Sequence, residues 1–580
     1  MNCLCRISAC KKTTVMITFA VVVLAVGLRE IQIMALPIFS DEAIYILVSQ
    51  NIWKTSDLFY PLEAAAARPL LFHWLLALAV PWSNYLLASR SLSAMASGFS
   101  AAAIWLIGAK LFGRKVGIAS AVLYALSPLS LVWERNAAPE SLMSMFALLA
   151  VLGSVSIIRQ EGPARMTSIL TGLSVTCAVL CSEEGLLFLA LPVLCWFAFK
   201  KARSRDFLRA YASSGIVFVV FCVLSYVGAG SYLPYNTRDW HFFFQNLQPE
   251  QLRMGLSVVN LFRNMTTSYA WIGGYLGFLL PMAILSSVLL FSIKRREVGF
   301  VLGWMVWSIA PITVLSAIYS RYFVVSQGAI VILAVVLIDR AVGTARRLAS
   351  KSDETDLQGI LLPASPSLRR TKITVAVSFL IMLVAAYPML TLTGSVLADI
   401  KYAPIPQYDR GQLIESWPSG YGMVDAMSYL NAKARDGRIL VLSDHIAPFA
   451  LQLMPRTNPN VTVVLIPWIW TQPIPPLNQT KEIFGVEVSS IFIFFNQADQ
   501  LDNPAPFLLI NPCATLVGSF PRPGNQSLVL VYSVNSCGTG SQGEIPPLTG
   551  NLSVDVERRV GTSARHQMAE WKLFEKFGQQ

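Results

Sequence analysis

The sequence predicts a polytopic α-helical membrane protein with a C-terminal α/β domain outside the bilayer, and three observations predict it. Hydrophobic residues make up 54% of the 580 residues and charged residues only 13%, against about 25% charged in soluble domains. Nearly uncharged windows of about 20 residues recur, each long enough to cross a hydrocarbon core of about 30 Å as a helix with its backbone satisfied internally. Beyond about residue 397 the pattern changes to short β-branched runs punctuated by Pro and Gly. The formal charge of +12 follows the same division: residues 396–580 hold 13 Lys+Arg and 15 Asp+Glu, so the basic excess lies in the first 395. In short membrane loops that excess marks the cytoplasmic side, and it argues against a nucleic-acid partner.

The elements follow in order. Arg6, Lys11 and Lys12 precede span 1 (about 15–36), placing the N-terminus in the cytoplasm. No small-residue cleavage site follows a short apolar core, so the segment reads as an anchor. The first outer loop, 37–83, opens with Pro37-Ile38-Phe39-Ser40-Asp41-Glu42-Ala43-Ile44-Tyr45. Residues 42–54 read as an amphipathic interfacial helix whose apolar side is Ile44, Leu47, Val48, Ile52 and Trp53. Arg68 precedes Pro69, a residue suited to the first turn of a helix; the run 69–82 is too short to span and is expected to be interfacial or re-entrant.

Further spans are expected at about 84–109, 116–133, 141–158, 168–181, 185–199, 208–228, 269–293 and 299–317. A tenth ends at Arg340 and an eleventh covers about 373–394. Placing each Lys/Arg-rich turn inside puts Asp41/Glu42, Arg68, Glu134/Glu140, Glu183/Glu184, His241 and Arg321/Tyr322 all outside. The polar groups therefore converge on one membrane face.

Residues 1–395 are thus expected to form the membrane domain and 396–580 an extracytoplasmic domain. A helix at about 423–434 and strands at 438–443, 461–466, 490–495, 506–510 and 528–534 predict a small α/β fold. Cys513 and Cys537 are the only cysteines in that domain and form a candidate disulfide in an oxidising compartment. The other seven of the nine lie in the N-terminal tail or in apolar helices, where a thiol behaves as a small hydrophobe.

Two adjacent carboxylates just beyond the first span suit transfer chemistry on a lipid-borne substrate. Moving a sugar from a polyprenyl phosphate requires a carboxylate to take the acceptor's proton and cations to stabilise the departing phosphate. Asp41 is the candidate base and Glu42 its helper, set against a simple acidic N-cap on the interfacial helix. Arg68, at a helix N-terminus, suits a phosphate, set against a snorkelling arginine. Arg321 and Tyr322 are further donor-phosphate candidates, although a Tyr there also serves as an interface anchor. Glu140, Glu134 and His241 are candidates for orienting substrate, against solvated loop charges and, for His241, a structural role.

The pattern Asp41-Glu42-Ala43-x-Tyr45, Arg68-Pro69-Leu70-x-Phe72-x-Trp74-Leu75, Arg135-x-x-x-Pro139-Glu140-Ser141-Leu142 and Ser320-Arg321-Tyr322 resembles the GT-C glycosyltransferases. Within them it is most similar to the family-39 and aminoarabinose-transferase group. The resemblance covers about 15–340 and implies a polyprenyl-phosphate-linked sugar donor and an inverting transfer. It also implies a first-loop carboxylate matching Asp41 and a phosphate-binding cation matching Arg68. Three positions depart from the family: Arg68-Pro69-Leu70 stands where Lys-Pro-Pro is frequent, Glu140 where Asp is common, and Glu183-Glu184-Gly185 where Lys-Gly or Lys-Glu is frequent. The group's pattern requires no metal, although some GT-C relatives hold a divalent ion between paired acids.

The reading from sequence is therefore a multi-pass cell-membrane glycosyltransferase acting on an acceptor that is a protein, a glycan or a lipid. The competing reading is a transporter or flippase of lipid-linked saccharides, which keeps ionisable groups near the midplane. Arg29-Glu30 and Arg90 fall in or near spans and keep that alternative open.

Overall fold

Apolar runs free of helix breakers become long helices, and each Pro or Gly interruption becomes a break. The computed structural model describes residues 2–63, 69–82, 84–200, 203–234, 257–313, 319–355, 384, 386–443, 453–465, 474, 477–496, 505–524 and 527–534. Contacts divide the chain into two units. The first comprises Met1–Ala35, Ser49–Glu63 and Ala67–Pro406, and the second Leu36–Val48, Ala64–Ala66 and Gln407–Gln580.

The first unit is helical: α1 (Asn2–Glu30), the end of α2 (Ser40–Thr55), α3 (Tyr60–Glu63), α4 (Leu70–Ala77), α5 (Tyr85–Phe112), α6 (Arg114–Ala125), α7 (Pro128–Trp133) and α8 (Pro139–Arg159). It continues with α9 (Ala164–Cys181), a 3-10 segment (Glu183–Leu189), α10 (Ala190–Ala198), α11 (Ser204–Ala229), α12 (Val258–Leu276), α13 (Leu279–Leu290) and α14 (Arg295–Thr313). A 3-10 turn (Ser320–Phe323), α15 (Val324–Thr355) and a helix over 386–399 complete it. Among the described residues, six helices are long and apolar enough to cross a membrane, with a seventh crossing if α12 and α13 count as one bent span.

The chemistry of their surfaces fits lipid. Large apolar side chains point outward, as at Phe19 (69% exposed) and Val227 (78%), while α5 buries Ser93, Ala94, Ser97, Ser100 and Ala101. Small residues inside let helix backbones approach, which is how helices pack where lipid supplies no hydrophobic drive.

Several expected spans are interrupted. The run 116–133 breaks between α6 and α7 because Ser127, before Pro128, is extended. The run 269–293 is bent by 107° between α12 and α13, at Gly277, whose φ of +55° is open to glycine without strain. The run 185–199 is a 3-10 segment and the nine-residue α10. Of 373–394, only 384 and 386–394 lie within the described residues.

The helix expected over 42–54 is α2, but it is not an amphipathic surface helix. Tyr45, Ile46, Leu47, Val48, Ser49 and Gln50 are all buried, whereas Trp53 is 56% exposed. Its second half is tied to α3 and α4: Asn51 donates to Tyr60 Oη (2.8 Å) and Ser49 Oγ lies 3.2 Å from His73 Nδ1; in the turn that follows, Leu58 O accepts from Trp74 Nε1 (2.7 Å). Ser49 and Asn51 are thereby partnered, while the buried Gln50 Oε1 accepts no hydrogen bond among the described residues; the helix is buried on several sides, where a single apolar stripe predicts a half-exposed one.

The second unit contains a five-stranded sheet in the order β2-β1-β3-β5-β4, with β1 Ile439–Ser443, β2 Val461–Leu465, β3 Ser490–Phe495, β4 Thr515–Pro521 and β5 Leu528–Ser533. Strand β1 is parallel to both neighbours, pairing Ile439 with Val461 and with Ser490, and β3 is antiparallel to β5. Strands β1 and β3 read as continuous apolar runs because they are buried on both faces, whereas Thr462, Val463 and Val464 of the edge strand β2 are half-buried. A helix, Met423–Lys433, precedes β1, as expected.

The expected strand at 506–510 is instead the helix Ala505–Ile510. Pro506 suits a first turn, and Phe507 packs on Phe495 (ring centroids 5.1 Å) and Tyr532 (5.5 Å). The sequence reading missed β4, a half-exposed edge strand with an irregularity at Leu516/Gly518 and a terminal proline.

Candidate active site

The acidic pair begins α2. Phe39 O accepts from Ala43 N (2.9 Å), and the buried Glu42 carboxylate reaches back to Phe39 N (3.3 Å). This is the acid half of a capping box, which satisfies one of the donors left over at a helix start. Asp41 is only half-buried, whereas Glu42 has no exposed surface. Glu42 thus caps the helix start.

In the first unit, Glu140 starts α8 behind Pro139, and its Oε1 lies 3.2 Å from Arg321 Nε in the 3-10 turn Ser320–Phe323. The Arg321 guanidinium is 5.0 Å from the Tyr319 ring centroid and 5.8 Å from those of Trp133 and Tyr322. Trp133 Nε1 donates to Ser320 Oγ (2.9 Å), fastening the end of α7 to this turn. Aromatic faces hold a guanidinium by cation–π attraction and restrict it to in-plane hydrogen bonding, the geometry that suits carboxylate or phosphate oxygens. Three of the residues singled out in the sequence, Glu140, Arg321 and Tyr322, are therefore brought together.

Glu134 lies elsewhere in that unit, fully buried. Its carboxylate accepts from Arg29 Nη2 (3.0 Å) and Nε (3.3 Å), from Tyr124 Oη (2.8 Å) and from Ser97 Oγ. Arg29 Nη1 also donates to Ala125 O (3.0 Å) and Ala25 O (3.2 Å). A carboxylate with four donors in place is a pairing partner for a buried cation, not an exposed loop charge. Arg90 donates to Ile33 O (2.8 Å) and Arg135 to Ile31 O, so two more buried arginines hold the chain just past α1. Burial first, then the neighbouring Arg90 and Arg29, push the Arg135 guanidinium down to about 10. The roles of Arg29 and Arg90 were not legible beforehand; the signal was a charge in or near a span, which calls for a partner.

Arg68 and His241 lie outside the described residues. Glu183 is buried, and Ser182 Oγ donates to Glu184 at the start of the 3-10 segment. Cys513 is disulfide-bonded, and Cys537, its expected partner, lies outside the described residues. Among the described residues, no three His, Cys, Asp or Glu side chains are grouped to hold a metal ion.

Comparison with solved structures finds the fold again in known proteins. The oligosaccharyltransferase of Archaeoglobus fulgidus, in complex with Zn and sulfate, aligns with 83% of this chain and 67% of its own, at 13% identity and a TM-score of 0.51. Its apo form aligns at 12% identity, with 83% and 69% covered and a TM-score of 0.50. ArnT from Cupriavidus metallidurans, bound to undecaprenyl phosphate, aligns over 92% of this chain and 100% of that one, at 13% identity and a TM-score of 0.49. No curated protein sequence matches the chain.

The helical architecture is similar to that of the archaeal oligosaccharyltransferase. Residues 67–227, which include α4 to α10 and most of α11, match the family model for dolichyl-phosphate-mannose-protein mannosyltransferases. Over that stretch the chain is similar to membrane glycosyltransferases, and six described helices are long and apolar enough to cross a membrane.

Proposed function

We propose that the protein moves a sugar from a polyprenyl- or dolichyl-phosphate donor to an acceptor hydroxyl at the outer membrane face, with inversion at the anomeric carbon. The N-terminus is cytoplasmic and the C-terminal domain extracytoplasmic, following the basic loops. Asp41 takes the acceptor proton as the acceptor oxygen bonds to the anomeric carbon; the carbon–phosphate-oxygen bond breaks, and the polyprenyl phosphate leaves with its electron pair. The observation that carries this reading is the division of labour at the start of α2: Glu42 is committed to the helix cap, while Asp41, half-buried beside it, has the residue type and exposure of a general base.

The matched family's name supplies the donor class, a dolichyl-phosphate sugar. Arg321, stacked among Trp133, Tyr319 and Tyr322, binds the donor phosphate, and Glu140 holds it aligned until donor arrives. Arg68, from its place before Pro69, supplies a second phosphate cation. Glu134 supports the site through Arg29, and His241 is assigned to substrate orientation from its sequence position.

The test is a transfer assay on purified full-length protein with a panel of undecaprenyl- and dolichyl-phosphate sugars and peptide, glycan and lipid acceptors. Transfer from a monophosphate-linked sugar with inverted product is the expected result. Transfer only from nucleotide sugars would reject the donor assignment.

A further inference from the structure

We propose that the loop Trp417–Gly422 of the C-terminal domain is the positioning element for the first turn of α2, and hence for Asp41; this rests on Asp41 acting as base. Residues 36–48 group with 407–580 and not with the helices that surround them in sequence. Ser40 N, at the helix start, donates to Pro418 O (3.0 Å). That N–H is one of the first-turn donors for which a helix has no internal acceptor, so its partner must come from outside.

The contact is backbone against backbone. A Cβ at Gly420 would lie 2.4 Å from Ile38 O, 2.7 Å from Pro37 Cβ and 3.0 Å from Ile38 N, so only glycine permits the approach. The loop is in turn anchored to the sheet: Asn496, just beyond β3, donates to Trp417 O (3.0 Å), and the buried Arg522 donates to Asn496 Oδ1 and to Ser527 Oγ (2.7 Å). Within the loop, Ser419 Oγ donates to Leu413 O (3.0 Å) and accepts from Tyr421 N (3.1 Å). Two hydrogen bonds joined through the Trp417–Pro418 peptide therefore link Asn496, the residue after β3, to Ser40, the residue before Asp41. The domain's sheet sets where the catalytic turn stands.

The experiment compares Gly420→Ala with Gly485→Ala in the full-length protein. Gly485 has φ +69° and open space around it, so its alanine variant strains the same domain without touching residues 36–48. Three quantities are read: thermal midpoint, kcat and donor KM with the polyprenyl-phosphate sugar from the panel, and amide exchange over 36–48. Gly420→Ala is expected to speed exchange over 36–48 and lower kcat about 10–100-fold, the scale of a small misplacement of a reacting group, with donor KM little changed. Gly485→Ala is expected to lower the thermal midpoint alone. Should Gly420→Ala fail to fold, Asn496→Ala removes the sheet-side anchor and is expected to act in the same direction, more weakly. Unchanged exchange over 36–48, or a kcat equal to that of Gly485→Ala at matched stability, overturns the proposal. Faster exchange in Gly420→Ala together with wild-type turnover in Asp41→Asn rejects the base assignment and leaves the loop's hold on the turn standing.

Discussion

Glu140 Oε1 sits 3.2 Å from Arg321 Nε, two side chains 181 positions apart in sequence that meet among three aromatic rings. The arrangement holds a planar guanidinium among aromatic faces beside a carboxylate, the geometry on which the proposed donor-phosphate role of Arg321 rests. Arg321→Ala is expected to raise donor KM about 10–100-fold, the equivalent of one charged hydrogen bond. Arg321→Lys is expected to recover little, because an ammonium neither stacks nor forks. Since Glu140 acts through Arg321, Glu140→Ala added to Arg321→Ala is expected to cost nothing further; additive losses would show that Glu140 contacts substrate independently.

The Arg29–Glu134 pair is a stability feature. Glu134→Ala strands a buried guanidinium and is expected to destabilise the helical unit by about 3–5 kcal/mol, read as a lowered unfolding midpoint in detergent. The apolar double replacement Arg29→Met with Glu134→Leu is expected to restore much of that and keep transfer. A stable double variant without activity would instead place Glu134 against substrate.

Glu42 and Asp41 differ in kind although they are neighbours. Glu42→Gln keeps an oxygen for Phe39 N, so turnover is expected within about tenfold of wild type, against the 10²–10⁴-fold typical of losing a general base. A loss of the latter size in Glu42→Gln would move the catalytic role to Glu42.

Reduction is expected to loosen the C-terminal domain. Breaking the Cys513 disulfide should cost about 2–4 kcal/mol of that domain's stability. Non-reducing peptide mapping should recover Cys513 linked to Cys537; Cys513 joined to any other cysteine contradicts the pairing.

Much of this was legible in the sequence because apolar length and basic loops report directly on lipid. The long helices α5, α8, α9 and α11 fall where uncharged runs stand, and β1, β3 and β5 where apolar β-branched and aromatic runs do. Helix interruptions were less legible: the bend at Gly277 and the break before Pro128 leave hydropathy unchanged while redirecting the chain. The run 506–510 is too short for periodicity to separate helix from strand, and Phe507's packing decided it. Burial of α2, the Arg29–Glu134 pair and the hold of Pro418 on Ser40 depend on contacts between distant residues, which no local pattern encodes.

The measurement that bears most directly on the proposed chemistry is single-turnover transfer by Asp41→Asn, with binding of the labelled polyprenyl-phosphate sugar followed in parallel. Removing the base should slow transfer by about 10²–10⁴-fold while donor binding stays close to wild type. Transfer at the wild-type rate would mean that another group takes the acceptor's proton.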